Sequence, residues 1–323
     1  MVGLEVKHQM GRNDIAAVSK LLEVAKKVDG HAPLGEHKWL DLIEGGHDGF
    51  AGLVAWDPRH DHPVGYAQLE AVDGRAEPQP TWALEIVVDP HHRDATSGIA
   101  EHLLGAALGV VRAEGGGHVN FWVPKPGPHQ DRIAEAAGLH RGRELRQLRR
   151  PLPLNGAPAD FEVRPFRVGI DEEAWLEVNN RAFRNHSEQG GWSFETLRKR
   201  EEQSWFDPEG LLLYEQNSRL AGFCWTKVHA DQEPALGEIY VVAVDPAFQG
   251  QGLGRSLTVA GLDHLSATEL QVAMLYVDAD NTAALRLYEA LGFELDHVDC
   301  AYIGDIAADG SDQTPTPTSE PRP

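Results

Sequence analysis

Gly237–Arg255 reads GEIYVVAVDPAFQGQGLGR. The run Glu238–Val244 is rich in β-branched residues, as a buried strand is, and it stops at Asp245-Pro246. The loop Gln249-Gly250-Gln251-Gly252-Leu253-Gly254 follows, and an amphipathic helix begins near Arg255. A strand, a glycine-rich turn and a helix N-terminus together make a phosphate site. The glycines allow close backbone approach, the amides point at the anion, and the helix dipole favours negative charge. The spacing Q-x-x-G-x-G is neither the Walker nor the dinucleotide fingerprint.

The chain has 323 residues, enough for two domains, and a formal charge of −21. That charge argues against binding nucleic acid or an anionic membrane surface. It would also repel a polyanionic ligand. Phosphates must therefore be held by local donors, the loop amides together with Arg255 and Arg286. No apolar run is long enough to span a bilayer, and the N-terminus lacks the order of a signal peptide. Cys224 and Cys300 form no CxxC pair and read as small core residues, which fits a reducing cytoplasm. None of the 16 histidines has a metal-binding spacing, so no metal is expected.

The chain repeats itself. Ile86-Val87-Val88-Asp89-Pro90 matches Val242-Ala243-Val244-Asp245-Pro246, and Gly98-Ile99-Ala100 matches Gly252-Leu253-Gly254. Asn120–Val123 matches Met274–Val277, and Ala136–Leu139 matches Ala290–Phe293. From the glycine loop onward the offset is a constant 154 residues. The Pro-rich stretch Pro151–Pro158 reads as a linker. The expected division is 1–150, a linker at 151–160, 161–306, and a disordered tail at 307–323. In each half the order is an amphipathic helix, hairpin strands, the glycine-loop helix, a strand and a short helix. That order predicts α+β halves on a mostly antiparallel sheet, with parallel pairing beside the glycine-loop helix.

The repeat supplies an internal control. Glu238 and Tyr288 can carry protons, whereas their counterparts read as Trp82 and Ala134. The first glycine loop, Asp89–Gly98, is also two residues longer than the second. One half is therefore expected to be catalytic and the other supporting. Taken singly, Tyr288 also reads as a core tyrosine and Glu238 as a strand-end carboxylate. Tyr276 also reads as sheet packing, Lys227 as a solvated strand lysine, and Glu36 and Glu188 as solvated loop residues.

The glycine loop resembles the pyrophosphate loop of the GNAT superfamily of acyl-CoA N-acyltransferases. Several further segments resemble the tandem GNAT family of mycothiol synthases from actinobacteria. These are VDGHAPLGEH around Glu36, HSEQGGW around Glu188, WFDPEGLLL, WTKVH around Lys227, GEIYVVAVDP, QGQGLGR and MLYVDADNTAALRLYEALGF. The resemblance covers nearly all of the chain except the tail. It implies transfer of an acetyl group from acetyl-CoA to the cysteinyl amine of a Cys–glucosamine–inositol pseudo-disaccharide. It implies that Glu36, Glu188, Lys227, Glu238 and Tyr276 contact that acceptor, with Glu238 as base and Tyr288 as acid. Val242, Ala243 and Val244 would hold the acetyl and pantetheine part. Gln249, Gly250, Gln251, Gly252, Leu253, Gly254 and Arg255 would cradle the pyrophosphate. Asn281, Thr282, Ala283, Ala284, Leu285 and Arg286 would line the remainder. In the first half, Ile86, Val87 and Val88 would line a second acetyl-CoA site, although HHRDATSGIA departs from the family loop. A monomer is expected, because the two halves supply one another's partner surface. The competing readings are a tandem GNAT acting on another amine, a protein N-terminus or an amino sugar, and an acetyl-CoA sensor without turnover.

Overall fold

A computed structural model describes residues 2–59, 62–72, 80–94, 96–156, 159–184, 186 and 189–310. The chain forms two units, Met1–Gly142 with the residues from Cys300 onward, and Arg143–Asp299. The Pro-rich stretch after Pro151 therefore falls inside the second unit, not between the two. The reason is a strand exchange.

The first unit contains β1 (Gly3–Lys7), α1 (Arg12–Asp29), α2 (Glu36–Glu44), β2 (Phe50–Asp57), β3 (His62–Val72) and β4 (Thr81–Val88). It continues with α3 (Ile99–Ala113), β5 (Gly117–Val123) and α4 (Pro128–Ala136). The second contains β7 (Arg164–Pro165), α5 (Glu172–Ala182), α6 (Phe194–Glu201), β8 (Leu211–Gln216), β9 (Arg219–His229) and β10 (Leu236–Val244). It continues with α7 (Leu253–Ala267), β11 (Val272–Asp278) and α8 (Thr282–Ala290). Two longer strands, β6 (His140–Pro151) and β12 (Glu294–Ile306), each run from one unit into the other. The helix pairs α3/α7 and α4/α8 keep the 154-residue spacing of the sequence repeat.

The first unit's sheet has the order β1-β2-β3-β4-β5-β12, and the second has β6-β11-β10-β9-β8-β7. Among the strand pairs whose register is described, β4·β5 and β10·β11 are the parallel ones, bridged by α3 and α7. Each sheet takes its sixth strand from the other half of the chain. Residues 300–306 pair with β5. Leu145–Pro151 pair with β11.

Packing follows the apolar stripes. Val18, Leu22 and Ala25 of α1 are buried, and Gly30 ends that helix in the left-handed conformation. In the second unit, Leu257, Leu262 and Leu265 of α7 pack with Leu275, Val277 and Tyr288 on one face of the sheet. Trp175, Trp192, Phe223 and Trp225 fill the other face, with Trp175 4.9 Å from Phe223 and 5.6 Å from Trp225. Cys224 and Cys300 are buried free thiols, and burial pushes Cys224 up to about 12.

Asp171 anchors α5 to β7. Burial alone would raise its carboxyl pKa. Hydrogen bonds from Arg167 and Arg164, at 2.7–3.1 Å, outweigh that effect and hold it well below the usual carboxylate range. A lowered folded-state pKa contributes stability above the unfolded value, which is lost as pH falls through the folded one. Asp171→Asn should cost roughly 2 kcal/mol at neutral pH, with the gap to wild type closing in strong acid. Urea titrations at several pH values check this.

Candidate active site

β10 and β11 pair over only three positions, Leu236–Glu238 with Val272–Met274. Beyond Glu238 the two strands part, and β10 runs on from Ile239 to Val244 without a partner on that side. The register against β9 shifts between Ile239 and Val241, so Tyr240 is an extra residue in β10. Such a bulge bends the strand and raises its twist. In the first unit β4 has an unbroken register with β3 and pairs with β5 over five positions. Only Ile86–Val88 are left unpaired there.

The bulge corrects one sequence correspondence. Glu238 lies opposite Lys227, and Ala83 lies opposite Glu70. The parallel registers agree, because Thr81 pairs with His118 and Leu236 with Val272. The position equivalent to Glu238 is therefore Ala83, not Trp82. Counting back from the loop misses the inserted Tyr240. Tyr288 and Ala134 do hold equivalent places in α8 and α4.

Residues paired across neighbouring strands share a sheet face. Lys227 and Glu238 are paired, Glu238 is registered with Met274, and Tyr276 stands two residues further along β11. These side chains share the face that carries Trp225. Glu238 is 7 % exposed, and His229 Nε2 lies 2.7 Å from its Oε2. The Lys227 ammonium sits 4.0 Å from the Trp205 ring centroid and 5.0 Å from that of Tyr240. Tyr276 is half-exposed, and its hydroxyl accepts a 2.7 Å hydrogen bond from Gln147 on β6. Burial, then the Glu238 and Asp299 charges, push its phenol well up. Tyr288 lies on the opposite face, against Phe293. Burial, then Cys224, raise its pKa far above the usual phenol value, so it stays a neutral proton donor.

The glycine loop closes the far end of β10. Asp245 is buried, accepts from the Ala247 amide at 2.8 Å and pairs with Arg181 at 3.2 Å. Gly250 and Gly252 both have φ +79, which L side chains rarely adopt, and Gly252 caps α7. The amides of Leu253 and Gly254 in the first turn have no carbonyl one turn back within the helix. Arg255 and Arg286 are exposed. Asn281 caps α8 by accepting from the Ala284 amide at 3.1 Å, and Leu285 points into the core.

In the first unit the corresponding loop is tied to itself and to its neighbours. Asp94 accepts from the Thr96 amide at 2.9 Å and from its hydroxyl. Arg93 donates to the Val88 carbonyl at 2.8 Å and holds Asp29 through both guanidinium arms at 2.5 and 2.8 Å. A cavity of about 370 Å³ remains, lined by Ile86, Val87, Val88, Phe121, Val123 and residues of this loop. Glu36 opens α2 and is half-buried. Glu188 lies outside the described residues.

One group of described residues has metal-ligand spacing: Asp41, His47 and Glu70, with ligand atoms within 4.8 Å of one another. The buried Lys38 ammonium lies 3.5 Å from Glu70 and already supplies positive charge there. Four other residues were missed in the sequence. His229, Trp205 and Tyr240 lie inside the quoted segments WTKVH, WFDPEGLLL and GEIYVVAVDP but were given no role there, and Gln147 lies in none of them. The period-2 relation of His229 to Lys227 is a further signal that could have singled it out.

Residues 173–293 match the Acetyltransferase (GNAT) family. A protein of Acidimicrobium ferrooxidans named mycothiol acetyltransferase is 43% identical over 304 residues, 91% of this chain and 95% of that one. One of Kocuria rhizophila with the same name is 45% identical over 294 residues, 87% of this chain and 93% of the relative. The chain belongs to the mycothiol acetyltransferase family. A mycothiol acetyltransferase is an acyltransferase enzyme, and the fold agrees. A tandem GNAT protein from the clavulanic acid biosynthesis pathway matches with TM-score 0.63 at 19% identity, covering 94% of this chain and 99% of its own. A GCN5-related N-acetyltransferase from Sphaerobacter thermophilus matches at 0.64 and 20%, covering 94% and 96%. The tandem GNAT neighbour agrees with an α+β architecture of two GNAT domains in one chain. Among the described residues no helix is long and apolar enough to cross a membrane.

Proposed function

We propose that this chain transfers the acetyl group of acetyl-CoA to the cysteinyl amine of the Cys–glucosamine–inositol acceptor, giving mycothiol. The carrying observation is the kinship with mycothiol acetyltransferases over nine-tenths of the chain. The second unit's geometry supports it. Lys227, Glu238 and Tyr276 face one way at the head of a long strand opening, and a glycine loop stands at its far end.

The chain's own residues divide the work. The amides at the start of α7 suit a pyrophosphate. The unpaired edge of Ile239–Val244 can hold an amide-bearing pantetheine arm as a strand would. A backbone N–H on that edge can polarise the thioester carbonyl. Glu238 takes the proton that leaves the amine, directly or through water, as the new C–N bond forms and the C–S bond breaks. An α-amine has a pKa of about 7.7–8.0, so a modest base suffices. Tyr288, held neutral by burial, returns a proton to the departing sulfur. In the first unit the loop that would hold a phosphate carries the acidic Asp94, and the strand opening is short, so a second acetyl-CoA would be held weakly there.

The deciding experiment follows release of CoA thiol from acetyl-CoA with the Cys–glucosamine–inositol acceptor, free cysteine, and no acceptor, correcting for the acceptor's own thiol. Rapid release with the pseudo-disaccharide alone supports the proposal. Release that is faster with a peptide or an aminoglycoside overturns it. Tyr288→Phe should lower kcat by only about ten- to a hundredfold, because a thiol of pKa about 8.5 leaves readily.

A further inference from the structure

We infer that His229 is a positioning residue that holds Glu238 aimed at the acceptor amine; this rests on Glu238 being the base. Glu238 is nearly buried, and buried polar groups need hydrogen-bond partners. A carboxylate acting as base accepts, so His229 Nε2 carries the hydrogen in their 2.7 Å contact. That length is typical of a charge-assisted bond. It engages Oε2, restrains the side chain against rotation and leaves Oε1 to take the proton. Lys227, directly opposite Glu238, has its ammonium against Trp205 and Tyr240. His229 instead reaches Glu238 diagonally, two residues further along β9.

The repeat gives independent support. In the first unit the register position of Glu238 holds Ala83. That of His229, opposite Leu236, is held by Val72, opposite Thr81. Neither member of the pair has a counterpart there. A histidine kept for strand packing alone has no reason to go with the carboxylate.

The test compares two amides. In His229→Gln the side-chain nitrogen falls near the place of Nε2, whereas in His229→Asn it is one bond short. With acetyl-CoA and the Cys–glucosamine–inositol acceptor, the Asn variant should lose about ten- to a hundredfold in kcat, with the KM for acetyl-CoA within about threefold. The Gln variant should recover most of that loss, with both melting near wild type. Equal activity of the two, whether high or low, overturns the inference, as does a loss seen only in the acetyl-CoA KM. Glu238→Gln is run beside them. Full activity of that variant fails the base assignment itself. An inactive Glu238→Gln beside a fully active His229→Asn fails the positioning role alone.

Discussion

Glu238→Gln should lower kcat by about 10²- to 10⁴-fold and leave the KM for acetyl-CoA within about threefold. Gln keeps the volume and one oxygen acceptor of the carboxylate but cannot take a proton. The strand should keep its course, because Glu238 sits in the last paired position before the opening and is not part of the core clusters. Val242–Val244 and the glycine loop, proposed above to hold the coenzyme, lie past the bulge and are untouched. Raising the pH should restore part of the rate, since an amine already neutral in solution needs no base. Steady-state kinetics from pH 7 to 10 check both statements. A variant with wild-type kcat would remove Glu238 from the chemistry.

Ending the chain at Asp299 should unfold the first unit, although every residue removed comes from the second half of the sequence. Cys300–Ile306 pair with β5 along its whole length and bring Tyr302 and Ile306 into the first unit's core. Burying a large apolar side chain stabilises by about 1.5–3 kcal/mol. Losing these together with a ladder of backbone bonds takes away most of a typical domain's margin of about 5–15 kcal/mol. Amide exchange or limited proteolysis should show α1–α4 losing protection while Arg143–Asp299 keeps its own. A truncated chain whose first unit stays protected would refute this.

Most of the fold was legible because it is written twice. The glycine loop and the fixed offset both depend on local sequence. Lys227, Glu238 and Tyr276 were found through the resemblance, and the strand registers place them on one face. Two things were not legible. A repeat tells which elements are equivalent but not which copy a strand pairs with. β6 and β12 have the same place in their repeats whether they stay at home or cross over. A bulge likewise adds one residue without a sequence mark, and that shifted the counterpart of Glu238 from Trp82 to Ala83. His229 lies in the quoted segment WTKVH but was given no role there. Its meaning comes from a diagonal contact that exists only once the hairpin has formed.

The crossing of β6 and β12 also bears on how such a protein can change over time. In the second unit, Gln147, which touches Tyr276, is encoded with the first copy. Point substitutions are free to strip that copy of its carboxylate and its tyrosine, as Ala83 and Ala134 illustrate. A deletion of the same copy would expose the bare edge of β11. The duplication is thereby made irreversible: a genome carrying it can let one copy's chemistry decay but cannot return to a single-copy gene in one step.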